Sequence, residues 1–227
     1  RCSPVSVCGY HIRESGCTPA QEISYAFSIA FAYIDNVMAR GYAPEAFVGG
    51  FTFNLNIYGN LWENVAKFRA ARKLWAKLLR ERYGVQDKKA LFLRGIFGGG
   101  GSGMTKQQPE NNIMRGSYYA LTAALSGAQT TALCSYDEAY TIPTERAALL
   151  SLRTFQILMD EIGLRDTVDP LAGSYFMETL TKEMEEKILE DLSDHEMHIV
   201  ETMFPNEAVS AKMLATFLHF QQGTPYI

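Results

Sequence analysis

The sequence has few cysteines, no cysteine motif and no long apolar run, and each absence excludes a class of protein. None of the four cysteines among its 227 residues stands in a Cys-x-x-Cys pair, so neither a zinc motif nor a dithiol redox motif is indicated. No apolar stretch approaches the ~20 residues that span a bilayer, and no secretory h-region stands at the start. We therefore predict a cytoplasmic protein with reduced thiols, no bound metal and no membrane partner.

A strong excess of charge of one sign is also lacking. The 21 basic and 25 acidic residues give a net charge of -4, and no long basic run occurs, so a nucleic-acid partner is not expected. What is present is a globular composition, with 47% hydrophobic and 20% charged residues, and a length that suffices for a domain with a sizeable core. The first residue is Arg1 and not Met, which favours a chain that begins inside a longer polypeptide.

Short strands alternate with long amphipathic helices along the chain. Apolar or alternating runs predict strands over residues 5–8, 51–56, 90–97 and 130–136. Helical periodicity and helix-stop residues predict helices over 18–40, 61–83, 109–126 and 175–203, and another from Pro143 to the residue before Gly163. Two capping boxes support this pattern, Thr18 with Gln21 and Asn60 with Glu63.

Repeated strand-then-helix order predicts an α/β fold with a parallel sheet and right-handed crossovers. Eight-stranded barrels usually need ~250 residues, so four units correspond to half of a TIM-type barrel. An open, doubly wound sheet of four strands is the structural alternative. Half a barrel leaves two strand edges and one sheet face uncovered, and we therefore expect it to need a partner or a further segment.

Candidate functional residues follow the strands, where ligands bind in parallel α/β folds. The segments are 9–11, 54–59, 98–103 and 136–138. His11 can donate a hydrogen bond to a carbonyl oxygen or act as an acid or base, although a structural histidine is the alternative. Tyr10 points away from it if the backbone is extended. Glu138 can accept hydrogen bonds from ribose hydroxyls, whereas Asp137 is expected to cap local backbone.

The run of glycines from Gly98 to Gly103 has the spacing of a phosphate-binding loop. Met-Thr follows where Lys-Ser/Thr is required, so a Walker A loop is rejected. Glycines admit positive φ and let backbone N–H groups face a ligand. The run therefore still predicts a loop that lies against a large flat or phosphorylated ligand, with a flexible turn as the alternative. The basic face of the second helix is predicted to be solvated rather than a phosphate site; it comprises Lys67, Arg69, Arg72, Lys73 and Lys77.

Four motifs together resemble methylmalonyl-CoA mutase. Residues 8–16 are similar to its Ser-Gly-Tyr-His-x-x-Glu-Ala-Gly stretch, and residues 67–75 to Lys-Met-Arg-Ala-Ala-Arg-x-Leu-Trp. Residues 136–144 resemble Phe-Asp-Glu-Ala…Leu-Pro-Thr, and residues 169–175 resemble Asp-Pro-x-x-Gly-Ser-Tyr. The motifs occur in the family's order and cover roughly residues 4 to 185.

The resemblance implies a place in a larger enzyme, an isomerase. The family's large subunit threads an acyl-CoA through an eight-stranded barrel, so residues 1–185 would supply strands five to eight, while 186–227 form a helical tail of unclear role. The implied partners are the missing N-terminal half-barrel, a cobalamin-binding subunit or domain, and further copies in an oligomer. The family's cobalamin signature, Asp-x-His-x-x-Gly, does not occur in this sequence.

Roles for single residues also follow from the resemblance, with adenosylcobalamin as cofactor. His11 would hydrogen-bond the thioester carbonyl, and Tyr10 would wedge between substrate and adenosyl group. Gln129 and Glu138 would contact the deoxyadenosyl moiety. The cofactor side would further include Gly98, Gly99 and Gly100, and the substrate side Thr52 and Asn54.

Several polar groups of the family are missing. Gly50 stands where methylmalonyl-CoA mutase has an Arg that contacts coenzyme A, and Cys134 stands at an Asn near the ribose. Ile96 and Gly98 replace the His and Gln of its His-x-Gln-Thr-Ser-Gly loop. These losses argue against methylmalonyl-CoA as the substrate and suit another acyl-CoA.

Two other functions stay open from the sequence. The lost polar groups and the divergent tail are compatible with a noncatalytic half-barrel that binds an acyl-CoA or a partner chain. An unrelated barrel enzyme, in which His11 and Glu138 form an acid–base pair, is the weaker alternative; it predicts turnover without cobalamin.

Overall fold

A single parallel sheet with helices packed on it organises the chain. The computed structural model describes the backbone of residues 5–203 and the side chains of residues 5–193. The strands are β1 (Val5–Cys8), β2 (Phe51–Ile57), β3 (Gly95–Gly99) and β4 (Thr130–Ala132). The helices are α1 (Gly9–Glu14), α2 (Pro19–Met38), α3 (Leu61–Tyr83), α4 (Asn111–Leu125), α5 (Glu145–Asp160) and α6 (Tyr175–Met203).

The strands pair in the order β1-β2-β3-β4, and every pairing is parallel. The predicted α/β class and parallel sheet are therefore confirmed, and the arrangement is consistent with a fragment of a TIM-type barrel. The domain boundary predicted at residue 185 falls inside α6. Residues 204–227 of the predicted tail lie outside the described residues.

Local sequence signals set the ends of the long helices. Thr18 caps α2 through both bonds of a capping box with Gln21. Asn60 caps α3 by accepting from the backbone N–H groups of Trp62 and Glu63. Gly84 ends α3 with a φ of 68°, a left-handed conformation that glycine adopts without a Cβ penalty.

One face of the sheet forms the core against α2 and α3. Val7, Phe53, Leu55 and Phe97 alternate onto this face and are buried. Phe53 contacts the indole ring of Trp75 at 5.0 Å between centroids, and Phe68 of α3 stacks on Phe97 at 4.1 Å. Burial of such aromatic side chains supplies much of the hydrophobic stabilisation of this layer.

The opposite face of the sheet is open. The register places Cys8, Asn54, Ile96 and Thr130 side by side, and all four are exposed or half-buried. Ile96 in particular is 43% exposed. Within residues 5–203 no further strand pairs with the outer edge of β1 or of β4. The uncovered face and edges predicted for half a barrel are thus present.

Two predicted strands are shorter in the structure. Residues 90–94 form a turn and loop before β3, and their apolar side chains Ala90, Leu91 and Leu93 are buried without strand pairing. Residues 133–136 leave the sheet after β4, and Leu133 packs over Gly116 of α4. An apolar run shows that a segment is buried, but it does not distinguish a strand from a loop that packs on the core.

The predicted solvated face of α3 is largely an internal interface. Helix α6 packs on α2 and α3, and its charges meet those of α3. Arg69 pairs with Asp169 and with Glu178, and Lys73 lies 2.8 Å from Glu185. Lys67 is fully buried, while Lys77 is exposed. The prediction was wrong for Lys67, which is buried, and for Arg69 and Arg72, which are half-buried, whereas Lys73 and Lys77 are exposed.

The described part of the chain contains neither a membrane span nor a metal cluster. None of the helices over residues 5–203 combines the length and the apolar character that crossing a bilayer requires. Among the described side chains, no group of three or more His, Cys, Asp and Glu residues is arranged to hold a metal ion.

Candidate active site

Helix α1 begins directly after β1 and places two aromatic side chains at the carboxyl edge of the sheet. The segment Gly9–Glu14 is helical, so the extended backbone under which Tyr10 would point away from His11 does not occur. Successive side chains on a helix differ by about 100° rather than the 180° of a strand. Tyr10 and His11 therefore both stay at this edge, with their rings edge-on and 5.6 Å apart. His11 is exposed and Tyr10 is half-buried.

Tyr10 lies over the open face of the sheet. A Cβ added to Gly98 would stand 3.9 Å from its ring. Its hydroxyl accepts a hydrogen bond from the Gly101 N–H at 3.2 Å and lies 3.4 Å from the Gly99 carbonyl. Burial, together with nearby Cys134, raises the pKa of the Tyr10 phenol above its ordinary value. The phenol consequently stays protonated at neutral pH, where it can both donate and accept hydrogen bonds.

The glycine loop, residues 98–103, is held by hydrogen bonds from its backbone N–H groups to other groups of the chain. None of its residues has a positive φ. Its N–H groups are occupied: Gly100 donates to the Ile57 carbonyl, Gly101 to the Tyr10 hydroxyl and Ser102 to the Glu14 carboxylate. These three N–H groups are therefore not free to bind a phosphorylated ligand. Glycine is required here for close approach, because a Cβ on Gly99 would lie 2.6 Å from the Tyr119 ring, a distance that Cβ contacts do not reach.

Glu138 is exposed beside the same loop. A Cβ added to Gly101 would meet its Cγ at 3.5 Å. The preceding residue, Asp137, is buried and accepts hydrogen bonds from Ser135 and Thr144. Burial raises the pKa of Asp137, but these hydrogen bonds outweigh it and lower that pKa below its ordinary value. Asp137 thus caps local backbone, as predicted, and anchors the segment that carries Glu138.

The structure does not bring every predicted site residue to this edge. Gln129 precedes the first residue of β4, at the amino ends of the strands, and donates to the Leu93 carbonyl at 3.2 Å. Since the sheet is parallel, Gln129 lies at the edge opposite to Tyr10 and Glu138. Thr52 is bonded to the Val5 carbonyl near the start of β1, and Asn54 lies on the open face. Gln129 therefore does not join Tyr10 and Glu138 at the carboxyl edge.

Cys134 lies next to Tyr10 and is expected to be unreactive at neutral pH. Its thiol donates to the Gly99 carbonyl at 3.0 Å. Burial, and the nearby charge of Glu138, raise the pKa of Cys134 to about 11. Because the thiolate is the nucleophile, peptide-resolved iodoacetamide labelling should be at least about 100-fold slower at pH 8 than for an ordinary thiol with a pKa near 8.5. The labelling rate should climb up to about pH 11.

The same peptide in protein unfolded by urea is the control, and it should label at the ordinary rate. Rapid labelling of Cys134 in the folded chain at pH 8 would contradict the buried, hydrogen-bonded thiol.

A buried network beneath the site was not foreseen from the sequence. Lys67 of α3 and Glu22 of α2 form an ion pair at 2.6 Å, with both side chains fully buried. Lys67 also donates to the Asn56 carbonyl at 2.5 Å, and Glu22 accepts from the Asn56 N–H at 2.6 Å. Burial lowers the pKa of Lys67, which the adjacent Glu22 carboxylate opposes.

The strand geometry explains why this ion pair is placed there. Phe53 and Ile57 direct their backbone groups toward β3, so Asn56 directs its own toward β1. However, β1 ends at Cys8, which pairs with Asn54. The N–H and C=O of Asn56 would be buried without partners, which is unfavourable. Glu22 and Lys67 supply the missing acceptor and donor.

Glu14 connects this network to the glycine loop. One carboxylate oxygen accepts from the Asn56 side-chain amide and the other from the Ser102 N–H at 2.8 Å. The spacing of Glu14 four residues after Tyr10 was the available signal, because such spacing brings two residues onto one side of a helix. This signal is useful only once residues 9–14 are known to be helical.

Comparison with known proteins agrees with the resemblance that the four sequence motifs indicated. The family model described as methylmalonyl-CoA mutase matches residues 1–222. The chain is 40% identical, over 86% of its length, to the 2-hydroxyisobutanoyl-CoA mutase large subunit of Aquincola tertiaricarbonis. It is 38% identical, over 81% of its length, to the methylmalonyl-CoA mutase of Cereibacter sphaeroides, and 32% identical, over 85%, to the mitochondrial enzyme of Homo sapiens. The chain spans 35%, 26% and 26% of these relatives, respectively.

Proposed function

Since the chain belongs to the methylmalonyl-CoA mutase family, we propose that it supplies strands five to eight of the substrate-binding barrel of an adenosylcobalamin-dependent acyl-CoA mutase. The observation that supports this proposal best is the meeting of Tyr10, His11 and Glu138 at the carboxyl edge of a sheet with an open face. The reaction would be the carbon-skeleton isomerisation of an acyl-CoA thioester.

The exposed groups at this edge fit the adenosyl part of the cofactor. Glu138 presents an exposed carboxylate, which can accept hydrogen bonds from two ribose hydroxyls. Tyr10 lies beside it over Gly98, where the absence of a side chain leaves space on the open face of the sheet. When bound, adenosylcobalamin supplies the radical chemistry, and the protein supplies orientation and the exclusion of water.

His11 is proposed to hold the substrate. Its exposed imidazole, in edge contact with the Tyr10 ring, can donate a hydrogen bond to the thioester carbonyl oxygen. Such a bond strengthens when negative charge develops on that oxygen. The half-buried phenol of Tyr10 would separate the substrate from the adenosyl group. The hydrogen bond from the Gly101 N–H to its hydroxyl would hold the ring in this position.

The substrate is proposed to be an acyl-CoA other than methylmalonyl-CoA. Ile96 places an exposed apolar side chain on the open face, and the Cys134 thiol is committed to the Gly99 carbonyl. Neither offers a charged partner for a free carboxylate. The uncharged acyl group named in the 2-hydroxyisobutanoyl-CoA mutase relative is therefore the first substrate class to test, with methylmalonyl-CoA as the comparison.

The remaining parts of the enzyme are proposed as partners. The upstream half-barrel would cover the open face and pair with the edges of β1 and β4, and a cobalamin-binding subunit or domain would close the carboxyl edge. The test is reconstitution of the chain with the corresponding parts of a close relative, adenosylcobalamin and each acyl-CoA. Isomerised product that requires all components is expected; turnover without cobalamin would contradict the proposal and favour an acid–base enzyme.

A noncatalytic half-barrel remains the second candidate, because several polar contacts of the family are missing at Gly50, Ile96 and Gly98. Calorimetric titration of the chain alone with an acyl-CoA discriminates the two. Tight binding without any partner would favour the noncatalytic function, whereas an incomplete barrel should bind weakly or not at all.

A further inference from the structure

We infer that Glu14 is a positioning residue that clamps the glycine loop, residues 98–103, against the helix that carries Tyr10 and His11. The inference rests on the proposed function for its effect on turnover, but the clamp itself can be measured without activity. Glu14 was one of the residues of the family-like motif at 8–16 to which no role was assigned.

The position of Glu14 lets one side chain connect three elements. It is the last residue of α1, four residues after Tyr10 and three after His11. Its two carboxylate oxygens accept separate donors, the side-chain amide of Asn56 on β2 and the N–H of Ser102 in the loop. The loop reaches back to α1 a second time, because the Gly101 N–H bonds the Tyr10 hydroxyl.

The clamp is anchored in the core. Asn56 is fully buried, and both its N–H and its C=O are fixed by the Glu22–Lys67 ion pair. Its side-chain oxygen has no hydrogen-bond partner, so the side-chain amide N–H to Glu14 is the contact that orients it. The loop also has no room to shift inward, since a Cβ on Gly100 would lie 2.5 Å from the Asn56 oxygen.

The chemistry of the two donors requires a carboxylate. An ionised Glu accepts at both oxygens, whereas Gln accepts at one and donates at the other. Glutamine at position 14 would therefore either present N–H to N–H at Asn56 or Ser102, or force the Asn56 amide to turn over and leave its NH2 group buried without an acceptor. Replacing Asn56 by aspartate in the same chain restores a hydrogen bond between positions 14 and 56 with the opposite direction. The glutamine can then donate to the new carboxylate and still accept from the Ser102 N–H.

The clamp is tested by amide hydrogen exchange on the full chain, with peptides that cover residues 98–104. Glu14→Gln should exchange roughly 10-fold faster in this segment, as expected for the loss of one hydrogen bond. The double variant Glu14→Gln/Asn56→Asp should return exchange to near the wild-type rate. Glu81→Gln, which changes an exposed carboxylate of α3, is the matched control and should leave this segment unchanged.

In the reconstituted mutase, Glu14→Gln should lower kcat roughly 10-fold with little change in KM, because misplaced reacting groups reduce the rate more than binding. The double variant should recover kcat. Thermal melting of each variant shows that the chain is folded. Unchanged exchange in Glu14→Gln would overturn the inference, and so would a folded double variant that recovers neither property. If even the wild type has no mutase activity, the proposed function fails, while hydrogen exchange still decides the role of Glu14.

Discussion

Replacement of His11 by alanine is expected to lower the turnover of the reconstituted mutase by about 100-fold or more. The imidazole is the exposed hydrogen-bond donor at the carboxyl edge, adjacent to Tyr10, and the removal of one donor to a developing oxyanion typically has an effect of that size. The measurement is kcat at saturating acyl-CoA and cofactor. KM should rise less than kcat falls, because the lost bond is strongest in the transition state.

A His11→Gln variant separates the hydrogen bond from the shape of the side chain. Gln retains an N–H donor, so its kcat should lie between those of the wild type and of the alanine variant. Since His11 is exposed, neither substitution should impair folding, and thermal melting checks this. Equal turnover of the wild type and His11→Ala would remove His11 from the site.

Replacement of Lys67 by methionine is expected to lower the free energy of unfolding by about 3–5 kcal/mol. The variant leaves the fully buried Glu22 carboxylate without its counter-charge and the Asn56 carbonyl without the Lys67 donor. Both groups lie in the core, where an unpaired charge or carbonyl is unfavourable. Urea unfolding of the chain, followed by circular dichroism, measures the change.

A control and a double variant show where the effect originates. Lys77→Met changes an exposed lysine of the same helix and should alter stability by less than about 0.5 kcal/mol. Lys67→Met/Glu22→Leu removes both charges and should recover part of the loss. Recovery should remain incomplete, because the Asn56 N–H and C=O still lack partners. A Lys67→Met variant whose free energy of unfolding lies within about 0.5 kcal/mol of the wild type, on the scale expected for surface changes, would show that the pair does not stabilise the fold.

The buried pair and the proposed clamp make stability and activity separable. Lys67 and Glu22 contact the backbone of Asn56, whereas Glu14 contacts its side chain. We therefore expect substitutions of the pair to act mainly on unfolding, and substitutions of Glu14 to act mainly on the glycine loop. The shared residue is Asn56, so combined variants of both groups should not be additive.

The sequence by itself determined the order and class of the elements. Capping and stop residues are local signals, and they placed α3 at the bounds that the structure has, between Asn60 and Gly84. Alternation of strands and helices was sufficient for a parallel sheet, since a parallel connection needs a crossover. The order of strands in turn brought Tyr10, His11 and Glu138 to one edge, because the carboxyl ends of parallel strands lie together.

Only the tertiary structure decided which groups meet. Lys67 looked like part of a solvated face, and its burial depends on Glu22 and on the early end of β1, 45 or more residues away in sequence. The glycine loop looked like a ligand cradle, but its N–H groups are bonded to residues up to 91 positions away. Gln129 has a residue type suited to a cofactor, yet it stands at the amino end of its strand. Local patterns report periodicity and propensity, whereas these outcomes depend on distant partners that local patterns do not contain.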